Sequence, residues 1–348
     1  MIPFYSFKQI HQDIEGALTD AAQSVIASGN YVFGTERFEE EFADYVGSRY
    51  CVACNNGTSA LHLALLALGV GPGDQVITVS HTFRATAAAI RYCGATPVYV
   101  DIEHDTFVMD SMQLERAITD RTRAIIPVHL YGNMANMHNI LMVAREHNIP
   151  VVEDSSQAHG STLAGRHAGT MGDVGTFSFY PGKGLGALGD AGCVVTNDEN
   201  LARFMRSVRT WDDNHVGYNY RMSNIQAEWL RIKLRGFDQV LAEKRDIAGR
   251  YNHYWNYVVT RDNVEHSYHV YPIMVEDRAR FMAYAREQGL EVKSHYPVPV
   301  HRMPAYRAAY SLPITDHVSS HQVSLPIYPG VDYQKVIEIV NDYPGALL

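Results

Sequence analysis

Short apolar segments alternate with helical segments through the first half of the chain, and this alternation limits the fold more than any other feature. The predicted strands are residues 50–54, 75–80, 96–100, 124–129 and 150–153, and the predicted helices between them are residues 60–68, 82–92, 111–118 and 137–147. Continuous apolar strands are typical of a parallel sheet that is buried on both faces. The alternation therefore predicts an α/β fold whose ligands bind beyond the carboxyl ends of the strands.

A chain of 348 residues is long enough for about two domains. The net charge of −9 argues against a nucleic-acid partner or an anionic membrane surface. No apolar run is long enough to span a membrane, no secretion signal is visible, and only four cysteines occur, so we expect a cytoplasmic protein. Cys51 and Cys54 form a C-x-x-C pattern on a predicted strand. Residues three apart on a strand point to opposite faces, which disfavours a redox pair or a metal site.

The turn Gly57-Thr58-Ser59 follows the first predicted strand and opens an apolar helix. Free N–H groups and the positive end of the helix dipole attract anions at such a position, and two hydroxyls add further donors. The turn is therefore a candidate phosphate site. The alternative is that Ser and Thr serve only as N-cap residues, which is common.

Two further side chains lie at predicted strand ends. Asp154 ends an apolar strand, where a buried carboxylate needs a cation or hydrogen-bond donors. A protonated pyridine nitrogen would satisfy Asp154, and a helix N-cap or a structural ion pair would do so equally. Phe83 is placed either to stack on a planar ring or to join the core.

Segment 175–190 presents Lys183 in a glycine-rich loop after an aromatic run. An apolar setting can lower the pKa of an amine and make it a nucleophile toward carbonyls, although a solvated loop lysine is the alternative. The chain has five other lysines, for which we expect solvated ammonium groups: Lys8, Lys233, Lys244, Lys293 and Lys335.

Two nucleotide-binding patterns near Lys183 are incomplete. Residues 184–189 match G-x-G-x-x-G, but a β-like run, 190–198, follows where a dinucleotide site requires a helix. The phosphate-loop pattern fails because Phe177 and Gly184 stand where it requires glycine and Ser or Thr.

The phosphate site, the aromatic ring, the strand-end aspartate and the loop lysine form the set of groups that pyridoxal 5′-phosphate requires. A lysine binds this cofactor covalently, and an aspartate keeps its ring nitrogen protonated so that the ring accepts electrons.

The chain resembles the DegT/DnrJ/EryC1/StrS family of sugar-nucleotide aminotransferases in segments 56–65, 71–77, 126–132, 152–160, 177–183 and 217–227. The resemblance implies a fold-type I, aspartate aminotransferase-like architecture. A large domain with a mostly parallel sheet and an N-terminal helical arm would span residues 1–235, and a smaller C-terminal α/β domain would span residues 236–348.

The resemblance also implies roles for individual residues, with pyridoxamine 5′-phosphate as the second cofactor form. Lys183 and Asp154 would be catalytic: Lys183 would bind the cofactor and carry protons, and Asp154 would pair with the ring nitrogen. The remaining implied cofactor contacts are Gly57, Thr58, Ser59 and Ser178 around the phosphate, Phe83 against the ring, Gln157 near the ring hydroxyl, and Asn219, which would reach the neighbouring subunit's cofactor in a homodimer.

The resemblance further implies that L-glutamate donates an amino group to a keto sugar nucleotide. Tyr180, His295 and Tyr296 would line the hexose, or would only pack around the loop. The favoured acceptor carbon is C3 of a dTDP-3-keto-6-deoxyhexose; C4 and UDP- or GDP-linked sugars are alternatives. A regulatory protein that binds the cofactor without turnover is a further alternative. The sequence departs from the family's usual residues at Gly184 and at Ala191, which alters the loop and the substrate mouth.

The remaining segments predict helices at residues 8–28, 36–47, 201–208 and 332–340, one long helix at 223–257 with a bend near Gly236, and a β-α-β unit at 268–275, 277–288 and 290–294. By the same resemblance, segment 255–265 is shorter than the corresponding segment usually is in the family. His317 and His321 have the helical spacing of a metal pair but no third ligand, so we expect no metal site.

Overall fold

The computed structural model describes residues 1–255 and 259–348. Its strands are β1 Tyr50–Cys54, β2 Gln75–Val79, β3 Thr96–Val100, β4 Thr122–Ile125, β5 Val152–Asp154, β6 Thr162–Leu163, β7 Arg166–His167, β8 Val174–Ser178, β9 Gly192–Thr196, β10 Val264–Glu265, β11 Tyr271–Met274 and β12 Gln322–Leu325. Its α-helices are α1 Phe7–His11, α2 Glu15–Ser28, α3 Glu36–Val46, α4 Gly57–Ala67, α5 Ala85–Tyr92, α6 Leu114–Ala117, α7 Met137–Glu146, α8 Glu199–Arg209, α9 Asn224–Arg235, α10 Phe237–Asn252, α11 Arg278–Glu287, α12 Pro313–His321 and α13 Tyr333–Asn341.

The central sheet has the strand order β3-β2-β4-β5-β8-β9-β1. Parallel bridges at Ile125–Val151 and Val128–Asp154 join β4 to β5. Strand β9 pairs antiparallel with both β8 and β1, whereas the other pairs are parallel. The predicted α/β fold with a mostly parallel sheet is therefore confirmed, and the carboxyl ends of the parallel strands meet on one side of the sheet.

Apolar clusters cover both faces of this sheet. Cys51 packs in the cluster that contains Phe42 and Phe177, whereas Cys54 packs in the cluster that contains Leu61. Both thiols are buried and free, and they lie on opposite faces as predicted. Helix α4 is apolar almost all round because it is buried between the sheet and its neighbouring helices.

A separate core gathers residues of α10, α11, α13, β11 and β12, among them Tyr251, Phe281 and Val323. The predicted long helix is two helices, α9 and α10, that meet at Gly236, where a glycine weakens the helix interior. Residues 256–258 lie outside the described residues, and with them the predicted end of that helix and part of the predicted short segment 255–265. The domain boundary at 235/236 remains a prediction.

Besides the long helix, two predicted elements are interrupted or reduced in the structure. The helix predicted over 8–28 is interrupted between α1 and α2 by a turn in which the Ile14 N–H donates to the His11 carbonyl at 3.0 Å. The strand predicted over 290–294 reduces to single bridges, Leu290 with Ile2 and Lys293 with Ser324, because its partners are a short N-terminal segment and the end of β12. None of the helices in the described part of the chain is long and apolar enough to cross a bilayer.

Candidate active site

A cavity of about 810 Å³ lies beyond the carboxyl ends of the central strands. Eleven of the twelve predicted site residues line it: Gly57, Thr58, Ser59, Phe83, Asp154, Gln157, Ser178, Tyr180, Lys183, His295 and Tyr296. The twelfth, Asn219, lies outside this cavity. The structure therefore brings together residues from five segments of the sequence, and their functional roles remain predictions.

The N-terminus of α4 forms one end of the cavity. The Asn56 side chain caps this helix by accepting a hydrogen bond from the Ser59 N–H at 2.8 Å. The alternative in which Ser or Thr supplies the cap is therefore wrong, and the hydroxyls of Thr58 and Ser59 are not needed for capping. A Cβ at Gly57 would lie 2.6 Å from the Ser178 Cβ, so only glycine allows the start of α4 to approach the end of β8 this closely.

Asp154 ends β5 with its carboxylate facing the cavity, and its side chain is buried. The Thr86 hydroxyl donates to Asp154 Oδ2 at 2.9 Å, and the Ser156 N–H donates to Oδ1 at 3.2 Å. These contacts hold the carboxylate without an ion pair to Arg or Lys within 4.0 Å among the described residues. A protonated ring nitrogen in the cavity would therefore find an unpaired negative charge.

Lys183 lies in the loop between β8 and β9, where its N–H donates to the Tyr180 carbonyl at 2.8 Å. Burial lowers the pKa of the Lys183 ammonium from 10.5 to about 8, against the opposing effect of the Asp154 charge. The alternative of a solvated loop lysine is wrong. The same lowering makes Lys183 competent to react as a free amine near neutral pH.

Lys183 is not alone among the lysines in having a lowered pKa, and the prediction of solvated ammonium groups at Lys233 and Lys244 is wrong. Lys244 is only 5% exposed, and burial lowers its pKa to about 7. Lys233 donates to the Gly186 carbonyl and lies 3.1 Å from His11 Nε2, and burial lowers its pKa to about 8. The sequence did not predict the burial of these two lysines, because which face of a helix is buried depends on the elements that pack against it.

Gln157 links the cavity wall to the C-terminal half of the chain. Its Oε1 accepts from the Tyr131 N–H at 2.9 Å, and its Nε2 donates to the Tyr296 hydroxyl at 2.8 Å. The Phe83 ring is 5.8 Å from that of Tyr296 and is 48% exposed, so Phe83 belongs to the cavity wall and not to the core.

The residues predicted to line the hexose differ in burial. Tyr180 is 59% exposed at the cavity mouth. His295 Nδ1 lies 2.9 Å from the Ser324 hydroxyl, and burial, with the charges of Lys183 and Lys293, lowers the pKa of His295 to about 4. His295 is therefore neutral at physiological pH, and contributes hydrogen bonds rather than charge.

Several cavity residues were not predicted from the sequence: Tyr5, Thr86, Ser156, Tyr220, His269 and Lys293. Ser156 and Thr86 lie beside predicted strand ends, and their hydroxyls could have been weighed there. His269 is buried and neutral, because burial and nearby lysines lower its pKa well below 6.5. Tyr5 and Lys293 come from distant segments that meet only in the folded chain, so no local pattern marks them.

Asn219 lies in the loop between α8 and α9 with a φ of 54°, and its Oδ1 accepts from Arg221 at 2.6 Å. Exposed apolar side chains occur near it in the sequence, at Trp211 and Val216. The rings of His317 and His321 are 4.4 Å apart, yet within the described ranges no three His, Cys, Asp or Glu residues form a group that could hold a metal.

Comparison with known proteins gives one matching family and several similar relatives. The family model described as the DegT/DnrJ/EryC1/StrS aminotransferase family matches residues 8–343. A dTDP-3-amino-3,4,6-trideoxy-alpha-D-glucose transaminase of Micromonospora megalomicea subsp. nigra is 40% identical over 93% of this chain and 94% of its own length. A GDP-perosamine synthase of Caulobacter vibrioides is 40% identical over 87% of this chain and 88% of its own length.

A solved structure, ntda of Bacillus subtilis with bound cofactor PMP, is similar with a TM-score of 0.86 and 30% sequence identity. The match covers 97% of this chain and 82% of that chain. This similarity confirms the predicted fold class.

Proposed function

Because this chain belongs to the DegT/DnrJ/EryC1/StrS aminotransferase family, and is therefore a pyridoxal-phosphate-dependent transaminase, we propose that it transfers an amino group from L-glutamate to a keto sugar carried by a nucleoside diphosphate. One observation carries the proposal: Lys183, Asp154 and the N-terminus of α4 face a single cavity. A reactive amine, an unpaired carboxylate and an anion site are there within reach of one bound molecule.

The residues present fit pyridoxal phosphate. The N–H groups at the start of α4, with Thr58, Ser59 and Ser178, would hold its phosphate, and the close approach of Gly57 to Ser178 shapes that end of the cavity. Asp154 would pair with the ring nitrogen, and Phe83 and Gln157 would position the ring. The bound cofactor would supply an electron sink for the carbon that loses its proton.

Lys183 would hold and move that proton. Its lowered pKa, about 8, keeps a substantial fraction of the amine unprotonated at neutral pH, which a general base requires. The same amine, once protonated, returns the proton as a general acid. The Asp154 side chain is held in place because the Thr86 hydroxyl and the Ser156 N–H donate to it.

The favoured acceptor carbon is C3 of a dTDP-3-keto-6-deoxyhexose. The name of the dTDP-3-amino sugar transaminase, 40% identical to this chain, supports this choice. A GDP-linked sugar is the second candidate, supported by a relative of equal identity that is named GDP-perosamine synthase. A cofactor-binding regulator without turnover is not favoured, because these relatives are named for reactions and the lysine and aspartate that such reactions need both face the cavity.

An absorbance titration tests the donor reaction. The yellow holoenzyme should bleach toward the pyridoxamine form when L-glutamate is added. Mass analysis of the products from a panel of keto-sugar nucleotides then identifies the acceptor. A colour that never responds to L-glutamate would refute the proposed donor reaction.

The variant Lys183→Ala should lower turnover by at least about a thousandfold, because one side chain performs both proton transfers. It should still bind pyridoxamine phosphate, which needs no covalent link. Lys335→Ala, which removes an exposed lysine outside the cavity, is the matched control. Retained activity in Lys183→Ala would overturn the assigned role.

A further inference from the structure

The cavity lining has few positively charged residues to bind the substrate of the proposed function. A nucleoside-diphosphate sugar carries at least two negative charges on its diphosphate, whereas the chain has a net charge of −9 and two aspartates, Asp154 and Asp190, line the cavity. Among the described lining residues, the lysines and arginines are Lys183 and Lys293 alone. Lys183 is engaged by the cofactor in the proposed function, so Lys293 is the remaining lysine or arginine that this chain contributes among the described lining residues.

The backbone of Lys293 is fixed in position. Its N–H donates to the Ser324 carbonyl at 3.2 Å, and the Ser324 N–H donates back to the Lys293 carbonyl at 2.6 Å. These bonds form the bridge that ties the 290–294 segment to β12. The side chain therefore starts from a rigid part of the structure and not from a mobile loop.

The ammonium group is held at the cavity edge by two aromatic rings. Lys293 Nζ lies 5.0 Å from the centroid of the Phe4 ring and 5.3 Å from that of the Tyr5 ring, and Tyr5 itself lines the cavity. Cation–π attraction of this kind localises the charge but uses none of the three N–H donors in a conventional hydrogen bond. The Lys293 charge is thus placed before any ligand arrives.

The nearest carboxylate leaves the ammonium available. Glu291 Oε1 is 3.8 Å from Lys293 Nζ, which is too long for a hydrogen bond, and Glu291 Oε2 already accepts from the Phe4 N–H at 2.9 Å. The Lys293 side chain is 45% exposed, so an anion that enters the cavity mouth can reach it.

Lys293 also lies on the side of the cavity where the sugar is expected. It is two residues before His295, one of the predicted hexose contacts, and the charges of both Lys183 and Lys293 act on the His295 imidazole. A sugar whose keto carbon is at Lys183 and whose ring contacts His295 would extend its diphosphate toward the cavity edge.

We propose that Lys293 binds the diphosphate of the nucleoside-diphosphate sugar. The inference rests on the proposed function, which supplies a substrate with this group. It assigns Lys293 to substrate affinity, and leaves proton transfer to Lys183. The basis of recognition is a preplaced charge that meets a doubly charged anion in a partly desolvated site.

Calorimetry on the holoenzyme tests the assignment with dTDP, UDP and GDP as probes, so that turnover of a particular sugar is not required. Lys293→Met keeps the apolar stem against Phe4 and Tyr5 but removes the charge. We expect it to weaken binding of the tightest of these diphosphates about tenfold, as the loss of one charged contact at a half-exposed site predicts. Lys293→Arg should restore binding to within about threefold of wild type, because it restores the charge.

The matched control is Lys335→Met, which removes an equally exposed lysine that pairs with Glu338 outside the cavity. This variant should bind the diphosphates as wild type does. The wild-type affinity should also fall more steeply with added salt than that of Lys293→Met.

Two results would overturn the assignment: unchanged diphosphate affinity in Lys293→Met, or loss of affinity in Lys293→Arg as large as in Lys293→Met. The reaction of the wild type with L-glutamate is a separate readout of the proposed function. If the wild type aminates none of the keto-sugar nucleotides but still binds a diphosphate through Lys293, the proposed function is wrong and the diphosphate site stands. If wild type aminates a sugar and Lys293→Met does so with unchanged KM, the site fails and the function stands.

Discussion

At the scale of single residues, hydrogen bonds hold the Asp154 carboxylate, and within residues 1–255 and 259–348 no Arg or Lys forms an ion pair with it. Thr82 and Thr86 form a short chain, with their hydroxyl oxygens 3.0 Å apart, and Thr86 donates to Asp154. We therefore propose that Thr86 is a positioning residue, which would act on the cofactor through Asp154.

Thr86→Val keeps the shape of the side chain and removes the donor to Asp154. We expect kcat to fall about tenfold, because a hydrogen bond to a charged group contributes roughly 1.5–3 kcal/mol. The pH dependence of kcat should also shift, which simple loss of packing would not cause. Thr19→Val, which removes an exposed hydroxyl bonded to the Glu15 carbonyl, is the control. Unchanged kcat and an unchanged pH profile would contradict the role.

The burial of Lys244 predicts that the free energy of unfolding of the chain depends on pH. Burial lowers its pKa from 10.5 to about 7 in the folded chain, so the folded state binds fewer protons than the unfolded state between these values. The Lys244 contribution to the free energy of unfolding therefore rises with pH through this window. Lys244→Met should raise the Tm at pH 7, and its advantage should shrink toward pH 10.

Thermal melts of Lys244→Met and wild type across this pH range check the expectation. Lys335→Met, at an exposed position, should change the Tm little at either pH. A Tm difference for Lys244→Met that stays the same from pH 7 to pH 10 would show that the charge of Lys244 does not matter to stability.

At the scale of elements, strand β5 uses its alternation to place two acids. Asp154 faces the cavity, whereas Glu153 points away from it and is fully buried. Glu153 accepts from the N–H groups of Gly169, Met171 and Gly172 and from His129 Nε2, at 2.6 to 3.0 Å. Burial opposes its ionisation, but these hydrogen bonds hold the pKa of Glu153 below its ordinary value.

Glu153→Gln should destabilise the chain by about 3 kcal/mol, because the new NH₂ group would face donors in a buried site. The stabilisation by Glu153 is present above the pKa of an unfolded glutamate and is lost as pH falls through the lowered folded value. Denaturant unfolding of the apo-protein measures both effects. Glu199→Gln, at an exposed helix position, should change the free energy of unfolding by less than about 0.5 kcal/mol. Equal stability of the two variants would contradict the anchoring role.

Helices and strands could be predicted where their formation depends on residues that are close together in the sequence. The alternating strands and helices of residues 50–154 follow from apolar periodicity, and strand β9 was visible as a β-like run after Lys183. The antiparallel direction of β9 was not visible, because it depends on how the long loop 179–191 returns the chain beside β8. The Asn56 cap could have been predicted, since Asn is a favoured N-cap and precedes the helix directly. It was missed because Ser and Thr were considered as the capping residues.

The site was predictable in part for the same reason. Lys183, Asp154 and the turn at Gly57 stand out because each ends a local segment. Lys293 and Tyr5 could not be found in this way, because they meet the cavity only through the bridge to β12 and the N-terminal pairing with residues 289–291. The burial of Lys244 was missed because it depends on packing between elements that are distant in the sequence.

At the scale of the whole molecule, we propose a homodimer with shared active sites. Asn219 lies outside the cavity of its own chain, and the same loop carries two exposed apolar side chains, Trp211, 60% exposed, and Val216, 87% exposed. Light scattering should give twice the chain mass of 39.0 kDa, which is 78 kDa. A monomer at micromolar concentration would contradict the proposal.

Mixing two inactive variants tests whether sites are shared. Lys183→Ala and Asn219→Ala should each have low activity, but a heterodimer of the two contains one intact site, which combines Lys183 from one protomer with Asn219 from its partner. Random association should restore about a quarter of wild-type activity. Mixtures of Lys183→Ala and the exposed-site variant Lys335→Ala provide the reference. Activity in the first mixture no higher than the sum of its parts would show that each site is built by one chain.

The cavity collects side chains from Tyr5 through Tyr296, so it exists only when almost the entire polypeptide has reached its native arrangement. A visible chromophore seated there would consequently act as an optical gauge of global integrity. Its yellow colour would fade in step with cooperative unfolding, and could be followed in a crude mixture without any label.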